Sequence, residues 1–241
     1  KCGNQTFEKG YVAKIDVKTK QVVATCEVGW EPEGVRLYEG KLYVANTGGY
    51  AFSENHSYET TVQVVNAETM KSIKTIDTGC INLYGEMSQA GQYLCINSCG
   101  DYHNVKPKTV IVDCKTDEVK TFDFPATYNS TDGDVFYTVG SEFSYNTNPG
   151  EYVYSIKTIN PKTQEVKDGI FCEAITQKIK EITSPYELYI SPYTQNVYFT
   201  DAGSYGSAGY LYGYTKEGQP VFAPQKTYVN PAHILALPIY E

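Results

Sequence analysis

Val62-Gln63-Val64-Val65-Asn66-Ala67-Glu68-Thr69 carries the reading of the fold. A short β-branched run stops at Asn66, and a second run, Ser72 to Ile76, starts soon after Thr69. An Asp or Asn at such a stop can bond the backbone two residues on, so the tetrapeptide Asn66-x-x-Thr69 predicts a tight hairpin turn. The same pattern occurs at Asp16 to Thr19, Asp113 to Thr116 and Asn160 to Thr163, each flanked by β-rich runs. Starts at 16, 66, 113 and 160 give intervals of about 50 residues, the period of a repeated supersecondary unit. Thr215-Lys216-Glu217-Gly218 is a degenerate fifth copy, after Tyr210, Tyr212 and Tyr214.

A further strand pair fits between successive hairpins. The expected pairs are Gly34 to Leu37 with Leu42 to Ala45, Leu83 to Met87 with Tyr93 to Asn97, Tyr128 with Val135 to Val139, and Tyr186 to Ile190 with Val197 to Thr200. Glu173 to Lys180 is the one segment with helical character. Four short strands per repeat define a β-propeller blade, and the fold class expected is all-β, with about five blades represented in one domain spanning 1–241. A β-sandwich of irregular strands is the alternative, and the near-constant spacing weighs against it. The first blade lacks its inner strands, and Asn230 to Leu237 reads as one further inner strand. The chain is therefore expected to be an N-terminally truncated piece of a larger propeller.

With strands named a to d from axis to rim, the b–c loops and d–a connections leave one face. A second motif marks it: Asn46-Thr47-Gly48-Gly49-Tyr50, Ser98-Cys99-Gly100-Asp101-Tyr102 and Asp201-Ala202-Gly203-Ser204-Tyr205, with a looser echo ending at Tyr145. It is the hinge from strand b into each long loop, Gly permitting the turn and Tyr bracing it. The expected loops are Asn46 to Thr60, Ser98 to Pro107, Gly140 to Gly150 and Asp201 to Ala208, and long loops on a rigid scaffold are where binding residues gather. The binding candidates are Trp30, Tyr50, Phe52, His56, Tyr58, Tyr102, His103, Asn104, Phe143, Tyr145 and Tyr205. Tyr and Trp supply rigid contact area with a polar tip. The residues downstream of the motif Tyr, which do not recur, are the better functional candidates: Phe52 to Tyr58, His103 and Asn104. Trp30, Tyr128 and Tyr186 are expected in the d–a connections on the same face.

Net charge is −8, with 28 acidic against 20 basic side chains. That balance argues against nucleic acid and against direct contact with anionic membranes. No apolar run approaches the ~20 residues of a membrane-spanning helix. Seven cysteines form no pair with zinc-site spacing, and no metal site is expected from them. Cys26, Cys95 and Cys172 read as small buried hydrophobes in strands. No nucleophile elbow, P-loop, HExxH or dinucleotide fingerprint is present. The one catalytic alternative places Glu33, Glu86 and Glu187, with Asp132, as an acidic ring around an axial metal, as in hydrolases of the lactonase kind. His233 is expected in a structural hydrogen bond near the axis.

The repeats resemble a known family. Val65-Asn66-Ala67-Glu68-Thr69 with Ile73 to Gly79, and Gly40 to Asn46, are similar to the YVTN-type surface-layer propeller repeat. Ser184-Pro185-Tyr186, Val197 to Tyr205, Gly209-Tyr210-Leu211-Tyr212 and Pro231-Ala232-His233 resemble a Bacteroidetes group of YncE-like propeller lipoproteins. That group includes cobalamin-capturing proteins of the BtuG type and related siderophore-capturing proteins. The resemblance implies a seven-bladed ring with about two blades outside this chain. It also implies a non-enzymatic surface protein on the extracellular side of the outer membrane. Such a protein captures a corrinoid or ferric siderophore as ligand, needs no cofactor, and passes the ligand to a TonB-dependent transporter. Membrane attachment would come only through a lipid anchor outside this chain. A protein- or glycan-binding scaffold is the alternative within the fold.

Overall fold

The structure is a computed structural model that describes residues 9–49, 57–144 and 151–237, with the side chains of 142–144 and 151–152 outside the description. The candidates Tyr50, Phe52, His56 and Tyr145 therefore lie outside the described residues, as does the side chain of Phe143.

The fold is all-β and of the propeller type, built from antiparallel blades. β1 (Lys9–Asp16) and β2 (Gln21–Trp30) form a two-stranded sheet. The first four-stranded sheet runs in order β3 (Pro32–Tyr38), β4 (Lys41–Asn46), β5 (Thr61–Asn66), β6 (Lys71–Asp77). The second runs β7 (Ser88–Ala90), β8 (Tyr93–Ser98), β9 (Lys108–Asp113), β10 (Val119–Phe122). The third runs β11 (Tyr128–Thr131), β12 (Phe136–Ser144), β13 (Glu151–Ile159), β14 (Val166–Asp168). The fourth runs β15 (Pro185–Ile190), β16 (Val197–Asp201), β17 (Tyr210–Tyr214), β18 (Gln225–Lys226). Every strand pairs with its chain neighbour, which is the meander expected of a blade.

The Asp/Asn-x-x-Thr turns have one shared chemistry. Asn66 Oδ1 accepts the backbone N–H of Glu68 (3.0 Å) and of Thr69 (2.8 Å), and the Met70 N–H reaches back to the Asn66 carbonyl at 2.8 Å. Asp16, Asp113 and Asn160 repeat the side-chain bond to the residue three on. The fifth position is left-handed each time: Lys20, Met70, Asp117 and Gln164 have φ between 52° and 63°. The carboxylate or amide thus replaces the partners that the turn's backbone N–H groups would lose. Asn66→Ala removes both bonds and is expected to cost about 1 kcal/mol. Asn66→Asp, which keeps the acceptor, should match the parent in urea denaturation; equal loss in both variants would refute the role.

The chain divides into two compact units, 1–87 with 94–123, and 88–93 with 124–241. In the first unit, one apolar core is formed by Tyr43, Val62, Val64, Leu83, Leu94, Ile96, Val110 and Val112. A smaller core of Cys26, Val28, Val44, Val65 and Met70 joins β2 to the first four-stranded sheet. Fully buried Tyr43 donates its hydroxyl to the Cys114 carbonyl at 2.9 Å, so its one polar atom is satisfied. In the second unit the core takes Tyr137, Val139, Ile156, Leu188, Ile190, Val197 and Phe199. The helix α1 (Glu173–Glu181) adds Ile175 and Ile179, four residues apart on its inner face.

Four expectations are corrected. Leu83 to Met87 are not a strand: Leu83 makes a single bridge to Ser98, and Asn82 and Gly85 take positive φ on either side of it, which breaks extension. Gly140 to Ser144, the described part of the loop expected over Gly140 to Gly150, belong to β12, which pairs with β13 without interruption from Gly140↔Ser155 to Ser144↔Glu151. Pro231 to Leu237 form no strand; Leu235 and Leu237 are about three-quarters exposed, 76% and 74%, with no sheet partner among the described residues. Cys172 lies at the N-terminus of α1, half-buried, rather than in a strand. The six described cysteines are free thiols.

Candidate functional site

Each copy of the loop-opening motif clamps strand b to the segment entering strand a. In the first copy the Thr47 N–H donates to the Glu31 carbonyl (3.2 Å) and the Gly48 N–H to that of Trp30 (3.0 Å). In the second, Ser98 Oγ donates to the Ile81 carbonyl (2.7 Å) and the Cys99 N–H to that of Asn82 (3.0 Å). In the third, Asp201 Oδ1 accepts the N–H groups of Ser184 and Gly203, both at 2.8 Å. The hinge role expected of the motif therefore holds. The Tyr of the motif takes a left-handed backbone, with φ of 63° at Tyr102 and 61° at Tyr205, and these two side chains are 64% and 52% exposed while keeping contacts of their own.

In the first unit one candidate, Tyr58, stands at an open, polar cavity of about 580 Å³ beside β2 and β5. Tyr58 and Glu59 line it. Glu59 accepts the Trp30 N–H at 3.0 Å and the Thr61 hydroxyl at 3.0 Å, while Thr61 Oγ1 accepts from Asn46 Nδ2 at 3.1 Å. Trp30 is the last residue of β2 rather than a connection residue, and the carboxylate holds it through its backbone. Asn46 Oδ1 is buried with no hydrogen-bond partner. The donors run in one direction, Asn46 to Thr61 to Glu59, which makes Glu59 a structural clamp. In the next loop, Asp101 Oδ1 accepts the N–H groups of His103 and Val105, both at 2.8 Å. That fixes the backbone and leaves His103 and Asn104 exposed. The Tyr102 phenol interacts with the side chains of Asn82 and Cys99, and Tyr58 lies in its field.

The second unit holds the more developed arrangement. Tyr128 opens β11, Tyr186 is the second residue of β15, and Tyr205 hangs from the loop after β16. The Tyr186 ring meets Tyr205 edge-on, centroids 5.7 Å apart at 74°, and meets Tyr128 at 6.0 Å and 52°. Both are favourable arrangements for rings with negative faces and positive edges. Tyr154 on β13 stands near Tyr128 and donates its hydroxyl to the Thr183 carbonyl at 3.2 Å. Burial, followed by the Tyr205 and Tyr186 phenols and the Glu187 carboxylate, holds the Tyr128 phenol above its ordinary range. Of these, the sequence marks only Tyr205 as a binding candidate. It places Tyr128 and Tyr186 on this face without selecting them, and it gives no signal for Tyr154, whose role depends on how far β13 extends.

Of the acidic-ring candidates, Glu33 and Glu86 lie in the first unit and Asp132 and Glu187 in the second. Glu86 forms an ion pair with Arg36 (3.8 Å), and Glu187 faces His233 Nδ1 at 3.6 Å. Asp132 sits in the β11–β12 turn, accepting the N–H groups of Asp134 (3.0 Å) and Val135 (3.1 Å) and the Tyr137 hydroxyl (2.7 Å). Glu33 is exposed on β3, and partial desolvation followed by the Glu31 charge raises its carboxyl above the usual range. Among the described residues no three His, Cys, Asp or Glu side chains come together as metal ligands. No helix among them is long and apolar enough to cross a membrane.

No protein-family model and no curated protein sequence matches the chain. Solved structures do. A Kuenenia stuttgartiensis hydrazine synthase chain superposes with a TM-score of 0.60 at 16% identity, over 92% of this chain and 63% of its own length. A chain of a nidogen/laminin complex superposes with a TM-score of 0.54 at 10% identity, over 94% of this chain and 78% of its own. The present chain thus spans less than two-thirds of the first of these. Both neighbours are β-propeller-like, and at these identities what they share with this chain is the fold.

Proposed function

We propose that this is a non-enzymatic binding protein that takes a small, bulky ligand on the face where the b–c loops leave its blades. The observation that carries the reading is the Tyr128–Tyr186–Tyr205 cluster. Three rings from two adjacent blades of one unit stand within 6.0 Å of their neighbours, and the outermost is half exposed. Rings held this way present contact area at little cost in side-chain entropy. The ligand class, the site of action and the partner come from the resemblance to YncE-like propellers. They are a cobalamin-like molecule or a ferric siderophore, the outer cell surface, and a TonB-dependent outer-membrane transporter.

Calorimetric titration with cyanocobalamin and with a ferric hydroxamate siderophore that carries a free amine tests the reading. One of them is expected to bind, and Tyr186→Ala, which removes the central ring, is expected to weaken it about tenfold or more (~1.4 kcal/mol). Absence of heat with both compounds would remove the ligand class. Binding indifferent to Tyr186→Ala would remove the site.

A further inference from the structure

The Glu187 carboxylate is a feature of the tyrosine cluster that capture of a neutral bulky ligand leaves unused. It is brought there by a bulge. Pro185 pairs with Asp201 and Glu187 with Thr200, so β15 carries one extra residue, Tyr186, against β16. A bulge breaks the strict alternation of side chains and re-aims them. Consecutive residues Tyr186 and Glu187 are thereby both brought near Tyr128. β3 carries the same irregularity between Pro32 and Val35, around Glu33, so the device belongs to the blade, while the three rings beside it belong to this site.

We propose that Tyr128, Tyr186, Tyr205 and Glu187 form a seat for an organic cation, an ammonium or guanidinium group carried on the bound molecule. The inference rests on the binding reading above and narrows its ligand class. Tyr186 stands steeply inclined to both neighbours, at 74° and 52°, so the cluster turns ring faces in different directions. Ring faces are the negative side of the aromatic quadrupole and attract ammonium and guanidinium groups within about 6 Å. The Glu187 side chain is only 16% exposed. One of its oxygens accepts the Leu188 N–H at 2.8 Å, and the other faces His233 Nδ1 at 3.6 Å. A recessed carboxylate is poorly screened, so it discriminates by charge more strongly than one in open solvent. The group opposite it is an imidazole that is 73% exposed on a segment outside any strand. His233 thus stands where a ligand's cation would stand, and it can be displaced without dismantling a sheet. The chain's net charge of −8 favours approach of cations over anions.

The test uses the whole chain and three probes of one shape: tryptamine, its neutral analogue tryptophol, and indole-3-propionate. Dissociation constants are read by NMR titration at neutral pH. Tryptamine is expected to bind about tenfold more tightly than tryptophol, with indole-3-propionate weakest. Glu187→Gln, which keeps an oxygen for the Leu188 N–H, is expected to abolish that preference and leave tryptophol unchanged. Equal affinity for tryptamine and tryptophol, both weakened by Tyr205→Ala, would overturn the cation seat while leaving the aromatic site standing. Tightest binding of indole-3-propionate would overturn it as well. Failure of all three probes would overturn the seat and count against the aromatic site itself.

Discussion

Gly100→Ala is expected to destabilise the protein by about 3 kcal/mol, far more than the same change at Gly203. Both are the glycine of the loop-opening motif, and both have positive φ, 65° and 57°. An alanine at either position bears the cost of the left-handed region, about 1 kcal/mol. Only at Gly100 does the new methyl also meet backbone, with its Cβ falling 1.9 Å from the Val105 carbonyl oxygen. At Gly203 the nearest atom is Ser207 Oγ at 3.9 Å. Relief at Gly100 requires the loop to move. That would strain the Asp101 N–H bond to the Val105 carbonyl (3.2 Å) and the Asn82 Nδ2 bond to the Gly100 carbonyl (3.0 Å). Urea denaturation of the two single variants reads the difference, and equal midpoints would contradict the hinge geometry.

Phe199→Ala is expected to cost 3–5 kcal/mol, roughly the range for removing a buried aromatic side chain. Phe199 is 1% exposed on β16, directly across from Tyr212 on β17. Its ring stacks on Tyr212 at 5.3 Å and lies nearly parallel to Tyr214, at 5.8 Å and 3°. Removing it leaves a void facing two rings that are themselves held by the strand register, so little collapse is available to fill it. Tyr198 points to the other face of the same strand, is half-buried, and contacts Tyr189 and Phe222 at the longer distances of 6.4 and 6.1 Å. Tyr198→Ala should therefore cost clearly less. Thermal unfolding of the pair measures this, and a Tyr198→Ala loss as large as that of Phe199→Ala would show that the core is placed wrongly.

The outer hairpins were legible because one side chain does the same job in each. Asp16, Asn66, Asp113 and Asn160 announce a turn wherever they are followed by x-x-Thr. The left-handed fifth position was not legible, since Lys20, Met70, Asp117 and Gln164 share no chemistry. Their backbone is set by the turn they close. Strand ends fared worse. Gly140 looked like the start of a loop, yet cross-strand bonds carry β12 on to Ser144. Leu83 to Met87 have strand-like composition, and the positive φ values at Asn82 and Gly85 prevent it.

The loop face could be found by asking which connections are long, and Tyr205 by its recurrence. Tyr186 could have been weighted higher, because Tyr128 and Tyr186 begin equivalent strands of consecutive blades and so must lie near each other at one end. The bulge that places Glu187 beside them is a matter of register, to which composition is blind. The same lack of register information made Asp132 look like a partner of Glu187, although the length of β11 separates it from Tyr128.

Hydrogen–deuterium exchange of the whole chain, with and without the compound that binds in calorimetry, tests the central claim most directly. Ligand on the tyrosine face should slow exchange in the backbone around Tyr186 and in the loop from Ala202 to Gly209. It should leave the outer turns at Asn66 to Met70 and Asn160 to Gln164 unchanged. Protection centred on those outer turns, with none at Tyr186 or in the Tyr205 loop, would contradict the account.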